Sequence, residues 1–486
     1  MKNIQQVIDG MDYNIRGKLP HKISSITNNS KQVKKGGLFF AIKGTKTDGH
    51  KYIQDAVDKG AVAVVVEEHQ PEMDTAQIIV DDSRKALSLA AKNFYNDPTE
   101  KLNVVGITGT NGKTSTVYIL RRIASLSKIF AGTIGTLGYT ILNEYHDCSL
   151  TTPDVIKLQS IFQQMVKQGV KTVFMEVSSH AIALHRVRDI HFKGVCFLNL
   201  SQDHLDFHNT MEEYATTKAR LFSMVDQEGF AICNVDSQYA QKFIDNCNAD
   251  LFTFSLEQDG DYTWQKVNSY HNTIDGLIKT PQNEIHINSK LSGKFNLQNI
   301  LAAVAIADNI NIEHQKIENA FRKIEPVPGR IQEVSLEQGP RVFIDYAHTP
   351  HAIINVLDEL KALVPADGRL ITVYGCGGDR DRKKRPSMTA AVEKYSDLSV
   401  LTTDNPRFEK PEAIIEDAKQ GFSGKKDYKI IVDRVQAINW SLKESNENDI
   451  VAILGKGHET YQEIKGKRYP FSDFKVVRKW QEKNAN

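Results

Sequence analysis

The sequence predicts an α/β protein built of several domains. Its 486 residues exceed what one ordinary hydrophobic core organises, so about three domains are expected. Short apolar runs alternate with helical stretches along most of the chain, a pattern typical of mostly parallel sheets covered by helices. A glycine-rich turn at residues 108–114 follows one apolar run and precedes a helical stretch. Such a strand–turn–helix unit favours phosphate binding.

Composition narrows the classes of function. Lys and Arg total 61 against 60 Asp and Glu, so net charge gives no attraction to nucleic acid or anionic membranes. The chain has no apolar run of membrane-spanning length and no signal-peptide core near Met1. Its five cysteines form no C-x-x-C pair, which favours a reducing compartment. We expect a cytoplasmic protein with small-molecule partners, no nucleic acid and no membrane insertion.

The predicted domains comprise residues 1–98, 99–330 and 331–486. An Asn-Asp-Pro turn ending at Pro98 closes the first, because all three residue types favour turns. A strand-like run at 102–107 then opens the second domain. The third contains four strand-like runs, and each stops at a polar or glycine-bearing cluster. Since ligands of open α/β sheets lie beyond the carboxyl ends of strands, these clusters predict a binding face.

The turn at 108–114 reads Thr-Gly-Thr-Asn-Gly-Lys-Thr and predicts an ATP-binding loop. Its glycines allow backbone N–H groups to turn towards phosphate oxygens. Lys113 would reach the β- and γ-phosphates, and Thr114 would offer a hydroxyl to Mg²⁺. The usual P-loop glycine is replaced by Ile107, and a purely structural turn is the alternative. The predicted loop residues are Gly109, Thr110, Asn111, Gly112, Lys113, Thr114 and Ser115.

Further motifs occur along nearly the whole chain. They are Thr-Thr-Pro at 151–153, Met-Glu-Val-Ser-Ser-His-Ala at 175–181, Asp-His-Leu-Asp-Phe-His at 203–208, Gly-Lys-Phe-Asn at 293–296, Asp-Tyr-Ala-His-Thr-Pro at 345–350, Gly-Cys-Gly-Gly-Asp-Arg-Asp at 375–381, Asp-Asn-Pro-Arg at 404–407 and Gly-Lys-Gly-His-Glu at 455–459. With the phosphate loop, they resemble the Mur ligase superfamily, which also includes folylpolyglutamate synthetase. Their order is similar to that of the tripeptide-forming member.

The resemblance implies a uridine-nucleotide-binding α/β domain, a central P-loop-type ATPase domain with a mostly parallel sheet, and a C-terminal Rossmann-like α/β domain. It implies a monomer that uses ATP and Mg²⁺. ATP would phosphorylate the D-glutamate carboxylate of UDP-N-acetylmuramoyl-L-alanyl-D-glutamate, and the amine of meso-diaminopimelate would then attack the acyl phosphate. Positioning and charge neutralisation would supply much of this catalysis.

The catalytic residues implied by the resemblance are Lys113, Glu176, His204 and Lys218. Glu176 and Thr114 would share one Mg²⁺, and His204 would bind a second. Composition alone suggests a solvated surface lysine at position 218. In the family, the lysine at this position is carbamylated by CO₂, which would make Lys218 an anionic oxygen ligand for Mg²⁺.

The resemblance also implies the substrate-binding residues. Asn296 and Asn299 would contact adenine, Arg330 the phosphates and Asp345 the ribose. The C-terminal domain would close over the nucleotide. Asn28, Ser30 and the segment 43–49 would bind uridine, although Lys31 stands where the family usually has arginine. The muramoyl dipeptide would be held by Thr151, Thr152, Ser178 and Arg186.

The amino acid added depends on Arg407. meso-Diaminopimelate differs from lysine by a distal carboxylate, which a guanidinium matches in bidentate fashion. An arginine at this position is typical of the diaminopimelate-adding form, and Glu459 suits the adjacent ammonium. The whole predicted acceptor site is Arg380, Asp404, Asn405, Pro406, Arg407, Gly455 and Glu459. The open alternatives are a lysine-adding ligase, a folate-polyglutamate ligase and a non-catalytic nucleotide-binding regulator on the same scaffold.

Overall fold

A computed structural model describes residues 1–44, 47–148, 150–270, 273–291, 293–334 and 336–484. Thr45 and Lys46, part of the predicted uridine segment, lie outside these residues. Three large sheets organise the chain, and each draws its strands from one of the three predicted domains. The domain boundaries themselves stay a prediction. No helix within the described ranges is long and apolar enough to cross a membrane.

The first sheet is small and mostly parallel. Its strands, in spatial order, are Asn14–Arg16, Ala76–Ile79, Ala61–Val66, Gly37–Phe40 and Ser25–Thr27. The helices of this region are Ile4–Val7, Ile53–Asp58 and Ser83–Phe94, and a short two-stranded pair joins Lys2–Asn3 to Lys22–Ile23. The strand Gly37–Phe40 is buried throughout, because helices or loops cover both faces of its sheet.

The central sheet has eleven strands in the described part of the chain. In spatial order they are Glu144–His146, Gly138–Ile141, Ala131–Gly135, Thr172–Glu176, Asn103–Thr108, Phe192–Phe197, Val225–Asn234, Asp250–Ser255, Tyr262–Tyr270, Thr273–Lys279 and Glu284–Ser289. The helices are Lys113–Leu126, Val155–Lys167, Ser179–Ala183, Leu205–His208, Met211–Ala219, Ala240–Asp245, Lys294–Asn309 and His314–Phe321. In spatial order, the six neighbouring strands from Ala131–Gly135 to Asp250–Ser255 are parallel. Antiparallel strands extend the sheet at both edges.

Two apolar cores cover opposite faces of this sheet. Helix Lys113–Leu126 packs with helix Lys294–Asn309 in one core, and helix Val155–Lys167 packs in the other. Strand Asn103–Thr108 lies between two parallel neighbours, Thr172–Glu176 and Phe192–Phe197. The segments that follow these three strands therefore meet at one edge of the sheet.

The third sheet is parallel except for one edge strand. Its spatial order is Gln332–Val334, Arg341–Asp345, Ile450–Leu454, Leu370–Cys376, Leu398–Thr403 and Asp427–Ile430. Helices Pro350–Lys361, Lys384–Tyr395, Pro411–Lys419, Arg434–Glu444 and Asp473–Asn484 accompany it, with a separate hairpin of Tyr461–Ile464 and Lys467–Pro470. The four strands that precede the motifs are adjacent and parallel, so the motifs lie at one edge of this sheet. That this edge is a binding face stays a prediction.

Candidate active site

The phosphate loop connects strand Asn103–Thr108 to helix Lys113–Leu126. Gly112 precedes the helix with a φ of 86°, and a Cβ there would collide with the side chain of Asn299, so glycine is required at this turn. Lys113 Nζ donates to the carbonyl oxygens of Gly109 at 2.8 Å and Thr110 at 2.9 Å. Burial lowers the pKa of Lys113. The ammonium therefore lies against the loop that it would use to hold phosphate.

A buried carboxylate lies beside this loop. Glu176 ends the neighbouring strand and is 1% exposed. Its Oε2 accepts from Thr114 Oγ1 at 3.0 Å, and its Oε1 accepts from the backbone N–H of Thr136 at 2.8 Å. Carboxylate and hydroxyl oxygens are ligands that Mg²⁺ prefers. The donor set at Thr114 and Glu176 therefore fits a magnesium ion.

Lys218 lies in the interior, and the surface position suggested by composition is wrong. Its side chain is 2% exposed, and its Nζ donates to Gly109 O at 2.9 Å and Thr108 Oγ1 at 3.3 Å. Burial, and then repulsion from Lys113, hold the pKa of Lys218 well below its usual range. A neutral amine is the form that reacts with CO₂, so the predicted carbamylation is chemically compatible with this position.

His204 follows the other neighbour of the central strand. It has a φ of 55°, and its Nε2 lies 3.4 Å from Asp203 Oδ2. Desolvation holds the pKa of His204 below its usual range, although Asp203 opposes this effect. The rings of His180 and His204 meet edge to face at 4.8 Å. A neutral imidazole is the form that binds metal ions.

The predicted nucleotide contacts lie where the second and third sheets face each other. Arg330 Nη2 donates to Thr114 Oγ1 at 3.2 Å, and its guanidinium covers the Tyr346 ring at 4.9 Å. Asp345 accepts from the backbone N–H groups of Ile331 at 2.7 Å and Ala347 at 2.6 Å. Burial raises the pKa of Asp345, while Arg330 acts in the opposite direction. These backbone contacts show that Asp345 anchors the segment that carries Arg330.

The two asparagines predicted to contact adenine are bonded to each other. Asn299 Nδ2 donates to Asn296 Oδ1 at 3.1 Å. Asn296 lines a cavity of about 300 Å³ together with Arg330, and Asn299 lines a much larger cavity beside it.

The predicted dipeptide residues form a connected group next to Glu176. Thr152 Oγ1 donates to the Glu176 carbonyl oxygen at 2.8 Å, and Arg186 Nη1 donates to the Thr152 carbonyl oxygen at 3.1 Å. Ser178 Oγ accepts from Ala181 N at 3.2 Å and so caps a short helix. Thr151 lies within 3.2 Å of Thr136, hydroxyl to hydroxyl.

Arg407 lines the large cavity from the side of the third sheet, after strand Leu398–Thr403. It has a φ of 50°, and its Nη1 donates to the Gly378 carbonyl oxygen at 2.8 Å. Its Nε lies 3.4 Å from Glu463 Oε2. Glu409, the acid nearest to Arg407 in the sequence, pairs instead with Arg385 at 2.7 Å. Arg407 therefore has an acidic neighbour, Glu463, that the sequence alone did not identify.

Asn405 and Glu459 form the remaining predicted acceptor contacts. Asn405 Nδ2 donates to Glu459 Oε2 at 2.9 Å. Lys456 Nζ donates to the same carboxylate oxygen at 2.6 Å and to Asn405 Oδ1 at 3.0 Å. Asp404 caps the loop by accepting from Asn405 N at 2.6 Å.

One cavity of about 1150 Å³ unites most of these groups. The predicted residues that line it are Thr110, Asn111, Gly112, Lys113, Thr114, Ser115, Thr151, Thr152, Glu176, Ser178, Arg186, His204, Asn299, Arg330, Asp345, Arg380, Asp404, Asn405, Arg407, Gly455 and Glu459. The predicted residues outside its lining are Asn28, Ser30, Gly109, Lys218, Asn296 and Pro406. Asn28 is exposed and Ser30 is buried, both in the first sheet region, so the structure does not bring the uridine contacts to this cavity.

Several residues of the cavity were not predicted. Thr136 bonds Glu176 through both its backbone N–H and its hydroxyl, and no sequence signal marks it. Lys384 lies 3.8 Å from Asp203, joining the third sheet to the second. It belongs to the basic run 380–385, in which no sequence signal distinguishes it from its neighbours. Lys456, which lies behind the cavity lining, belongs to the motif at 455–459 but was given no role there.

Comparison with known proteins gives a consistent result along the chain. The family description "Mur ligase middle domain" matches residues 107–307, "Mur ligase, glutamate ligase domain" matches 329–457, and "Mur ligase family, catalytic domain" matches 22–95. The UDP-N-acetylmuramoyl-L-alanyl-D-glutamate–2,6-diaminopimelate ligase of Aquifex aeolicus is 44% identical over 460 residues, covering 94% of this chain and 93% of the relative.

Two further similarities agree. The ligase of the same name from Clostridioides difficile is 40% identical over 479 residues, covering 98% of both chains. A solved structure titled as this diaminopimelate ligase has a TM-score of 0.70 and 31% identity, covering 100% of this chain and 99% of its own. The fold, the phosphate loop and the extent of these matches together establish that the chain belongs to the Mur ligase family.

Proposed function

We propose that the chain adds meso-diaminopimelate to UDP-N-acetylmuramoyl-L-alanyl-D-glutamate at the expense of ATP, in the synthesis of a peptidoglycan precursor. The observation that carries this proposal is one cavity lined both by Lys113 of the phosphate loop and by Arg407 and Glu459. A guanidinium beside a carboxylate is complementary to an amino acid that has a carboxylate and an ammonium at its far end. Relatives named for this activity cover nearly the whole chain.

The phosphate loop supports the first step, in which the D-glutamate carboxylate attacks the γ-phosphorus and ADP leaves. Lys113 and Arg330 would neutralise negative charge on the phosphates, since both side chains contact residues of the phosphate loop. In the second step the amine attacks the acyl carbon, phosphate leaves and the nitrogen loses a proton. Closure of the third sheet over the loop would exclude water from the acyl phosphate.

Mg²⁺ is the cofactor that the donor set fits. Thr114 and Glu176 would hold one ion, and His204 with a carbamylated Lys218 would serve a second. Bound Mg²⁺ supplies positive charge that offsets the negative charge of the transferred phosphoryl group. The protein orients the Glu176 carboxylate through Thr136, whose backbone N–H and hydroxyl both donate to it.

We also propose a monomeric enzyme of the cytoplasm. All five cysteines are free in the structure, as expected in a reducing compartment. The UDP-linked dipeptide would occupy the side of the cavity lined by Thr152, Ser178 and Arg186, while Asn28 and Ser30 would contact the uridine.

The test is ADP release by the purified chain with ATP, Mg²⁺ and the UDP-dipeptide. meso-Diaminopimelate, L-lysine and D-glutamate are compared as acceptors. We expect release that depends on the UDP-dipeptide and is fastest with meso-diaminopimelate. Equal rates of ADP release with lysine and meso-diaminopimelate would contradict meso-diaminopimelate as the preferred acceptor. ADP release without formation of the UDP-linked tripeptide would contradict the ligase activity.

A further inference from the structure

The acceptor end of the cavity contains a buried cation to which the proposed mechanism gives no role. The side chain of Lys456 is fully buried, and its Nζ lies 2.6 Å from Glu459 Oε2 and 3.0 Å from Asn405 Oδ1. The rings of Tyr461 and Phe471 lie 5.7 Å and 5.8 Å from the same nitrogen. Asn405 and Glu459 line the cavity, whereas Lys456 is absent from the lining residues described. Lys456 therefore lies behind two acceptor contacts.

Lys456 determines which way the Asn405 amide points. The Oδ1 atom of Asn405 accepts from Lys456 Nζ and, at 2.9 Å, from the backbone N–H of Glu463. Both neighbours are donors, so a reversed amide would place its NH₂ group against them. The Nδ2 atom is consequently directed to Glu459 Oε2, and its second hydrogen is available to a ligand.

The same contact divides the two oxygens of Glu459. Its Oε2 accepts from both Lys456 and Asn405, at 2.6 Å and 2.9 Å. This oxygen is committed to the protein, so Oε1 is the one offered to a ligand in the cavity. A donor on Asn405 and an acceptor on Glu459 thereby stand side by side.

We propose that Lys456 is a positioning residue for the acceptor, acting through Asn405 and Glu459. The inference rests on the proposed function and adds to it the residue that orients the Glu459 acceptor for the distal ammonium, beside the Asn405 donor. Lys456 lies behind the lining residues and so would not itself touch the substrate. Without the Lys456 ammonium, the Asn405 amide loses one of the two donors that define its orientation, and Glu459 Oε2 keeps only the donor from Asn405.

The experiment compares two acceptors in wild type and Lys456→Met. meso-Diaminopimelate carries the distal amine, and 2-aminopimelate lacks it while keeping both carboxylates. We expect wild type to prefer meso-diaminopimelate in kcat/KM, and Lys456→Met to lower this preference by about 10-fold, since a charged contact to the ligand is weakened. The KM for the acceptor should rise more than kcat falls, with the KM values for ATP and the UDP-dipeptide unchanged.

Arg369→Met is the matched control. Arg369 Nη2 lies 2.8 Å from the buried Asp449 Oδ2, at the opposite end of the strand that leads to Lys456. This variant loses an ion pair between the exposed Arg369 and the buried Asp449 of the same sheet but should keep the wild-type preference. Lys456→Gln retains a neutral donor for Asn405 but loses the charge beside Glu459. It serves as a second, less disruptive variant, for which we expect a smaller loss of preference than in Lys456→Met.

Two outcomes overturn the inference. A folded Lys456→Met or Lys456→Gln enzyme with the wild-type preference would show that Lys456 only stabilises the fold. An equal loss of preference in Arg369→Met would show that the effect is general destabilisation. Wild type that accepts neither compound would overturn the proposed function itself, a result recognisable before any variant is made.

Discussion

Arg330 and Thr114 are joined across the cleft by a hydrogen bond of 3.2 Å from Nη2 to Oγ1. Thr114 is the second residue of the helix after the phosphate loop, and Arg330 precedes the first strand of the third sheet. The same threonine hydroxyl also bonds Glu176 at 3.0 Å. A cation and a carboxylate from different sheets therefore converge on the hydroxyl that the proposed function assigns to Mg²⁺.

Arg330→Met should lower kcat/KM for ATP. The guanidinium would contact the phosphates with charged hydrogen bonds worth about 1.5–3 kcal/mol each, so the expected loss is about 10- to 100-fold. ADP release at varied ATP concentration measures it. Arg369→Met is the control, because Arg369 pairs with Asp449 at 2.8 Å and neither residue lines either cavity, so this variant should leave the ATP dependence unchanged. Equal effects of the two variants would argue against phosphate contact.

Arg407→Met should reduce the selection of meso-diaminopimelate over lysine. Two charged hydrogen bonds to the distal carboxylate would give a preference of roughly 10²–10⁴ if lysine left the guanidinium unpaired. Glu463 and the Gly378 carbonyl already engage two edges of Arg407, so we expect a preference near the lower end, about 10²-fold. The ratio of kcat/KM for the two acceptors is the measurement. Wild type that uses lysine and meso-diaminopimelate equally well would refute the prediction.

Thr114→Val should raise the Mg²⁺ concentration needed for half-maximal ADP release by about 10-fold or more, as expected for loss of an oxygen ligand. Thr116→Val is matched in chemistry and burial. The Thr116 hydroxyl donates to the Gly112 carbonyl oxygen at 3.0 Å within the helix, away from Glu176. The Mg²⁺ titration of Thr116→Val should be close to that of wild type. A shift of the same size in both variants would contradict the proposal that Thr114 is a Mg²⁺ ligand.

The predicted site residues were found together mainly where strand ends define position. The carboxyl ends of parallel strands share one edge, so the motifs after Leu370–Cys376, Leu398–Thr403 and Ile450–Leu454 had to converge. The phosphate loop was recognisable because its strand, glycines and helix are contiguous in sequence. The mostly parallel sheets followed from the same alternation of apolar runs.

Other features depend on tertiary contacts that local patterns do not encode. Glu463 reaches Arg407 from a separate hairpin whose polar residues are typical of an exposed loop. Lys218 belongs to a helix with several polar positions, and only the phosphate loop packed above it makes the amine buried. Thr136 lies in a turn between antiparallel strands, and its bond to Glu176 arises from sheet order alone.

Asp449→Asn should reduce stability in a pH-dependent manner. Burial of Asp449 acts to raise its pKa, but hydrogen bonds from Arg369 and Asn446 prevail and lower it. An acid with a lowered folded pKa stabilises the fold above its unfolded pKa, and this contribution is lost as pH falls through the folded value. We expect a deficit of about 1.5–3 kcal/mol at neutral pH, shrinking in acid. Urea unfolding midpoints measured between neutral and acidic pH give this loss of stability. The exposed Asp427→Asn is the control. A loss of stability that does not change with pH would exclude a link between the ionisation of Asp449 and folding.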